Sequence, residues 1–132
     1  MSWWKIVTEK VSEGNILFTP GRGIEGLNKK PFQIIEKGAD IIRILSGSSL
    51  IPLERKCFDT IGKAFHENAF LQLFVAALHE KPLEGSGDIL IRNATGSQLA
   101  RGNYVCSILE YCGLVHYKMK GRKKVIVLPG QA

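Results

Sequence analysis

The residues best equipped for chemistry in this 132-residue chain are cations, and they are clustered. From Arg92 to Ala132 there are seven basic residues, Arg92, Arg101, Lys118, Lys120, Arg122, Lys123 and Lys124, against the single acid Glu110. Acids and bases balance in the preceding residues, so this last third carries the whole formal net charge of +6. A localised positive field on a neutral body attracts polyanions by releasing their condensed counterions, and nucleic acid is the first polyanion to consider.

Other reactive side chains form weaker patterns. Asp40 with Glu54-Arg55-Lys56 echoes the acid and Glu-x-Lys layout of metal-dependent nucleases. In those enzymes the Glu and Lys share a strand face, whereas here they follow Pro52 at an expected helix start, where side chains two residues apart diverge. A nuclease is therefore kept as the alternative, and no catalysis is expected. Gly21, Gly23 and Gly26 spell G-x-G-x-x-G, but Leu27–Pro31 leads into another strand instead of the helix that a dinucleotide site needs, so a flexible hairpin loop is expected. Cys57, Cys106 and Cys112 are odd in number and form no CxxC, as befits reduced, buried thiols. With His66, His79 and His116 far apart, neither a metal nor any other cofactor is expected.

Two regions must position these groups, residues 1–50 being β-rich and residues 51–132 helical. Trp3–Val11, Asn15–Thr19, Pro31–Glu36 and Ala39–Leu45 are rich in β-branched and aromatic residues and are bounded by glycine turns, which predicts a small N-terminal antiparallel sheet. Its firmest element is a hairpin turning at Glu36-Lys37-Gly38, to which Ser48–Ile51 adds a short strand. The apolar positions of Leu53, Cys57, Ile61, Ala64 and Phe65 predict a helix from Pro52 to about His66. Asn68 reads as the cap of a second, buried helix over Ala69–Glu80. Asp88–Ala94 reads as a short helix, Thr95-Gly96 as a turn, and Ser97 or Gln98 to Cys112 as a longer helix with Gly102, Val105, Cys106, Leu109 and Cys112 on its core side. A start after Gly102 is the other reading of that helix. Gly113 can close it in the left-handed conformation, and Leu114–Leu128 forms two strands around a Lys120-Gly121-Arg122 tip.

From Asn68 to Leu128 the chain resembles the winged helix-turn-helix family of DNA-binding domains. The resemblance is carried by Ala94-Thr95-Gly96 in the turn, by Ile108-Leu109-Glu110-Tyr111-Cys112 at the helix end, and by Gly113-Leu114-Val115 leading into the wing. It implies an α+β fold, a small N-terminal antiparallel sheet followed by a winged helix-turn-helix. It also implies a recognition helix presenting Gln98, Arg101, Asn103, Tyr104 and Ser107 to DNA, and a wing whose Lys118, Lys120, Arg122, Lys123 and Lys124 meet the backbone or minor groove. These types suit the task, since Gln and Asn pair with adenine, Arg with guanine, and Tyr and Ser with phosphate oxygens. The expected function is non-catalytic binding of double-stranded DNA, as a transcriptional regulator or a DNA-recognition module. Apart from the nuclease, the alternatives are a winged-helix protein-interaction module and RNA binding.

No apolar run approaches the roughly 18 to 20 residues that a membrane span needs, and the start MSWWKIVTEK lacks the pattern of a secretory signal, so a cytoplasmic protein without membrane contact is expected. Trp3 and Trp4, if on a strand, face opposite sides and leave one ring exposed, which motivates a homodimer.

Overall fold

Residues 2–131 are described by a computed structural model, and among them are four helices and seven strands. The first segment corrects the strand expected at Trp3–Val11, because it is the helix α1 (Trp3–Lys10). Ser2 caps it by accepting a hydrogen bond from the Lys5 amide at 3.3 Å. Trp4, Val7 and Val11 return to one side at three- and four-residue steps, and burying that side outweighs the strand preference of the residue types. Lys37 closes the other end by donating to the carbonyls of Thr8 and Val11 at 2.8 and 2.9 Å.

The strands β1 (Ile16–Phe18), β2 (Pro31–Lys37), β3 (Ile41–Ser46) and β4 (Ser49–Glu54) form an antiparallel sheet in that order. The expected β2–β3 hairpin is present, with Ile34 opposite Ile44 and an irregularity between Ile34 and Glu36. Leu17, Phe32, Ile34, Ile42, Ile44 and Leu53 fill the inner face. Pro52, expected to open a helix, lies within β4, which an edge position allows because a missing N–H there breaks no shared ladder. The helix α2 (Arg55–Glu67) starts only after Glu54 and buries Cys57, Phe58, Ile61 and Phe65. Both tryptophans pack on it, Trp4 against Phe58 at 5.5 Å and Trp3 stacked on Phe65 at 5.8 Å. Neither ring is left exposed, so the premise for dimerisation through a bare tryptophan does not hold.

Beyond α2 the helix expected at Ala69–Glu80 is absent. Asn68 instead ends α2 and accepts from the Phe70 amide at 3.0 Å, and the chain runs extended through β5 (Leu73–Phe74). The deciding pattern is the two-residue alternation of buried Leu73 and Val75, while Phe70 is 75% exposed. There follow α3 (Gly87–Thr95), α4 (Gly102–Tyr111), β6 (His116–Lys120) and β7 (Lys123–Val127). The strands form a second antiparallel sheet ordered β5-β7-β6. Gly96, at φ 71°, ends α3 as the expected turn glycine, and Gly113, at φ 76°, follows α4. One hydrophobic core joins Trp4 and Phe32 to Ile91, Val105 and Ile126 from the other half.

Gly102, the first residue of α4, lies where α3 packs against it. A Cβ on residue 102 would lie 2.6 Å from the Cβ of Asp88 and 2.8 Å from its backbone nitrogen. Gly102→Ala should thus lower stability by about 1–3 kcal/mol through overpacking, although alanine is the better helix former in isolation. The check is a urea titration in which the midpoint falls at unchanged m-value.

Candidate nucleic-acid interface

The basic region is organised from inside by an acid. Asp88, fully buried in the first turn of α3, accepts the amides of Arg101 and Gly102 through Oδ1, both at 3.1 Å. Since α4 has no capping side chain of its own, this carboxylate takes two of its first free N–H groups. The other oxygen, Oδ2, accepts from Arg92 Nε at 3.0 Å and lies 3.0 Å from Nη2 in an ion pair. Arg92 in turn donates to the carbonyls of Leu78 and His79, which fixes the extended stretch before α3. Ser86 caps α3 itself, accepting from the Ile89 amide at 3.2 Å.

Arg101 continues the network away from any surface. Its side chain is 1% exposed, and Nη1 donates to the Pro52 carbonyl at 2.8 Å and to both oxygens of Glu54 at 3.0 and 2.9 Å. Nη2 donates to Thr95 Oγ1 at 3.1 Å. The guanidinium therefore pins the α3–α4 connection to the β4–α2 junction, and guanine is not its partner in this conformation. The same holds along α4. Tyr104 packs edge-on against Phe32 at 5.2 Å and donates to Ser46 Oγ at 2.9 Å, and buried Ser107 donates to the Phe18 carbonyl. Asn103 is half-buried, with Oδ1 enclosed and unpaired. The resemblance to a recognition helix turns Asn103, Tyr104 and Ser107 toward DNA, but the N-terminal sheet covers Tyr104 and Ser107. Of the five residues expected to face DNA, Gln98 alone is exposed, in the segment before α4.

The β6–β7 hairpin is different. Lys120, Arg122 and Lys123 are exposed at its tip, where Gly121 turns the chain at φ 64°, and half-buried Lys118 lies on β6 with Nζ 3.4 Å from the Gln131 carbonyl. Lys120 and Lys123 hold their ammonium groups 5.7 and 5.3 Å from the centre of the Phe74 ring. Lys124, grouped with them by sequence, points inward. It is 6% exposed, donates to the Pro20 carbonyl at 2.7 Å and lies 4.9 Å over the Tyr117 ring. Burial draws its amine below the ordinary lysine value, against the opposing pull of Glu25 and Glu110. It acts as a tether that binds the glycine-rich loop to the hairpin, and it brings Arg22 of that loop beside Arg122 and Lys123 in one groove. Sequence spacing could not show this, because the Lys124–Pro20 contact spans 104 positions.

Asp40, Glu54 and Lys56 do line one cleft, together with Arg55, Asp59, Thr95 and Ser97. Two of the three carboxylates are engaged, Glu54 with Arg101 and Asp59 with Arg55 at 2.8 Å. Among the described residues no three His, Cys, Asp or Glu side chains converge as metal ligands, and no helix is long and apolar enough to cross a membrane. The chain matches no family model, and no curated protein or solved structure matches it significantly.

Two outcomes test this internal organisation. Asp88→Ala should destabilise the fold by about 3–5 kcal/mol, since it strands a buried arginine and two amides, and thermal unfolding followed by circular dichroism would register the loss. The three cysteines are free and buried, and burial pushes the thiols of Cys57 and Cys106 to about 12 and that of Cys112 to about 11. They should stay protonated and resist a disulfide reagent at pH 8 until denaturant is added, and rapid labelling of the folded protein would contradict their placement.

Proposed function

We propose that this chain binds double-stranded DNA without catalysis, and that it does so through the β6–β7 hairpin. The observation that carries the reading is the exposed cluster of Lys120, Arg122 and Lys123 at the hairpin tip, with Lys118 behind it. Three exposed cations on a short hairpin can contact phosphate oxygens and release counterions on contact. Helix, strand, helix, helix and hairpin follow one another from α2 to β7, with β5 added to the hairpin, and this order supports assigning α2–β7 to the winged helix-turn-helix class. The hairpin is then the wing.

The covered face of α4 favours holding the backbone over reading bases. A helix whose polar side chains already bond to Phe18 and Ser46, preceded by an arginine bonded to Glu54, has little to offer a major groove. The chain accordingly suits a DNA-recognition module or a regulator that grips DNA with low sequence discrimination.

Replacing Lys120, Arg122 and Lys123 together by Gln should flatten the slope of log K against log salt for random duplex DNA by up to about three units, each phosphate contact being worth roughly 0.9. Fluorescence anisotropy at several salt concentrations measures this, and an unchanged slope would take the hairpin out of the interface. Lys124→Gln should instead lower stability, because its amine is spent inside the fold.

A further inference from the structure

The groove between the Pro20–Gly26 loop and the β6–β7 hairpin has a composition that duplex binding alone does not require. Its cavity volume is about 450 Å³, within the roughly 300–1,000 Å³ of small-ligand sites. Its lining combines apolar Phe74, Val75, Leu78 and Leu83 with Arg22 from the loop and Arg122 and Lys123 from the hairpin. No carboxylate lines it. We propose that this groove takes an unpaired nucleotide next to the duplex, its base against Phe74 and its phosphates between Arg22 and Arg122. The inference rests on the proposed duplex binding and specifies the form of nucleic acid that the same surface prefers.

Three observations converge on this occupant. A base inside a duplex has both faces covered by its neighbours, so an aromatic platform flanked by cations is of use only to a base that has left the stack. The Phe74 ring already holds two ammonium groups near its face, at 5.7 and 5.3 Å. An incoming base replaces them there, and they turn to the flanking phosphates. The loop is also built to stay open and in place. Arg22 and Leu27 exchange backbone hydrogen bonds of 2.7 and 2.8 Å, and Lys124 ties Pro20 to the hairpin. Gly21, at φ 68°, lies so near Gly26 that a Cβ would meet its carbonyl at 2.7 Å. The G-x-G-x-x-G spacing is thereby explained as a tight loop that presents Arg22, not as a dinucleotide fingerprint.

The test compares a blunt duplex, the same duplex with a short single-stranded tail, and the tail strand alone, with 2-aminopurine at the first unpaired position. The full chain should bind the tailed duplex about tenfold more tightly than the blunt one, the scale of one base stacked on an aromatic ring. Arg22→Ala, on an exposed loop, and Phe74→Leu should each remove that advantage, weakening the tailed duplex about tenfold more than the blunt one. The 2-aminopurine emission should change on binding to the unmodified chain and not to Phe74→Leu. Equal affinity for blunt and tailed duplexes, or an advantage that survives Arg22→Ala, overturns the groove assignment and leaves the duplex reading standing. Binding of the tail strand alone, sensitive to Arg22, with no affinity for blunt duplex, upholds the groove and overturns the duplex reading. Absence of binding to all three overturns both.

Discussion

A single buried carboxylate organises the basic half of this protein. Asp88 takes two backbone amides from the start of α4 and two guanidinium nitrogens from Arg92, which leaves the charge paired and its lone pairs occupied. The bond to Gly102 requires the helices to approach until only hydrogen fits on that Cα. From there Arg101 carries the connection on to Glu54 and the Pro52 carbonyl, so a chain of charge-assisted hydrogen bonds runs from α3 through α4 to the N-terminal sheet. Removing Asp88 leaves the Arg92 guanidinium and two amides buried without it, which is why the network depends on that carboxylate.

This arrangement divides the excess positive charge into two populations. Arg92, Arg101 and Lys124 are buried and committed to internal partners, whereas Lys120, Arg122 and Lys123 stand in solvent on the hairpin. A linear count treats them alike, yet only the second group can exchange counterions with a polyanion. The N-terminal sheet enforces the division. By covering Tyr104 and Ser107 it makes α4 a core helix, and by holding the glycine-rich loop against Lys124 it adds Arg22 to the surface that remains.

Much of the fold was legible along the chain. The β2–β3 hairpin, the turn at Gly96, the helix ending before Gly113 and the β6–β7 hairpin all announce themselves through glycines that adopt positive φ or through local alternation. Two of the departures share a cause. Trp3–Val11 has the residue types of a strand and Phe70–Leu78 the spacing of a helix, but α1 forms because Trp4 and Val7 find α2, and β5 forms because Leu73 and Val75 find β7. In both cases a distant partner outweighed local preference.

The sequence by itself determined where the charge is concentrated and which glycines turn the chain, because each of these is a property of residue type or of near neighbours. Tertiary structure alone decided which cations are free. Arg101 and Lys124 differ from Arg122 and Lys123 in nothing that composition or spacing records. They differ in whether a carboxylate or carbonyl from 47 or 104 positions away closes over them. Burial of a charge is set by contacts across the whole fold, since the cost of desolvation is offset only where a partner from elsewhere in the chain arrives in hydrogen-bonding geometry.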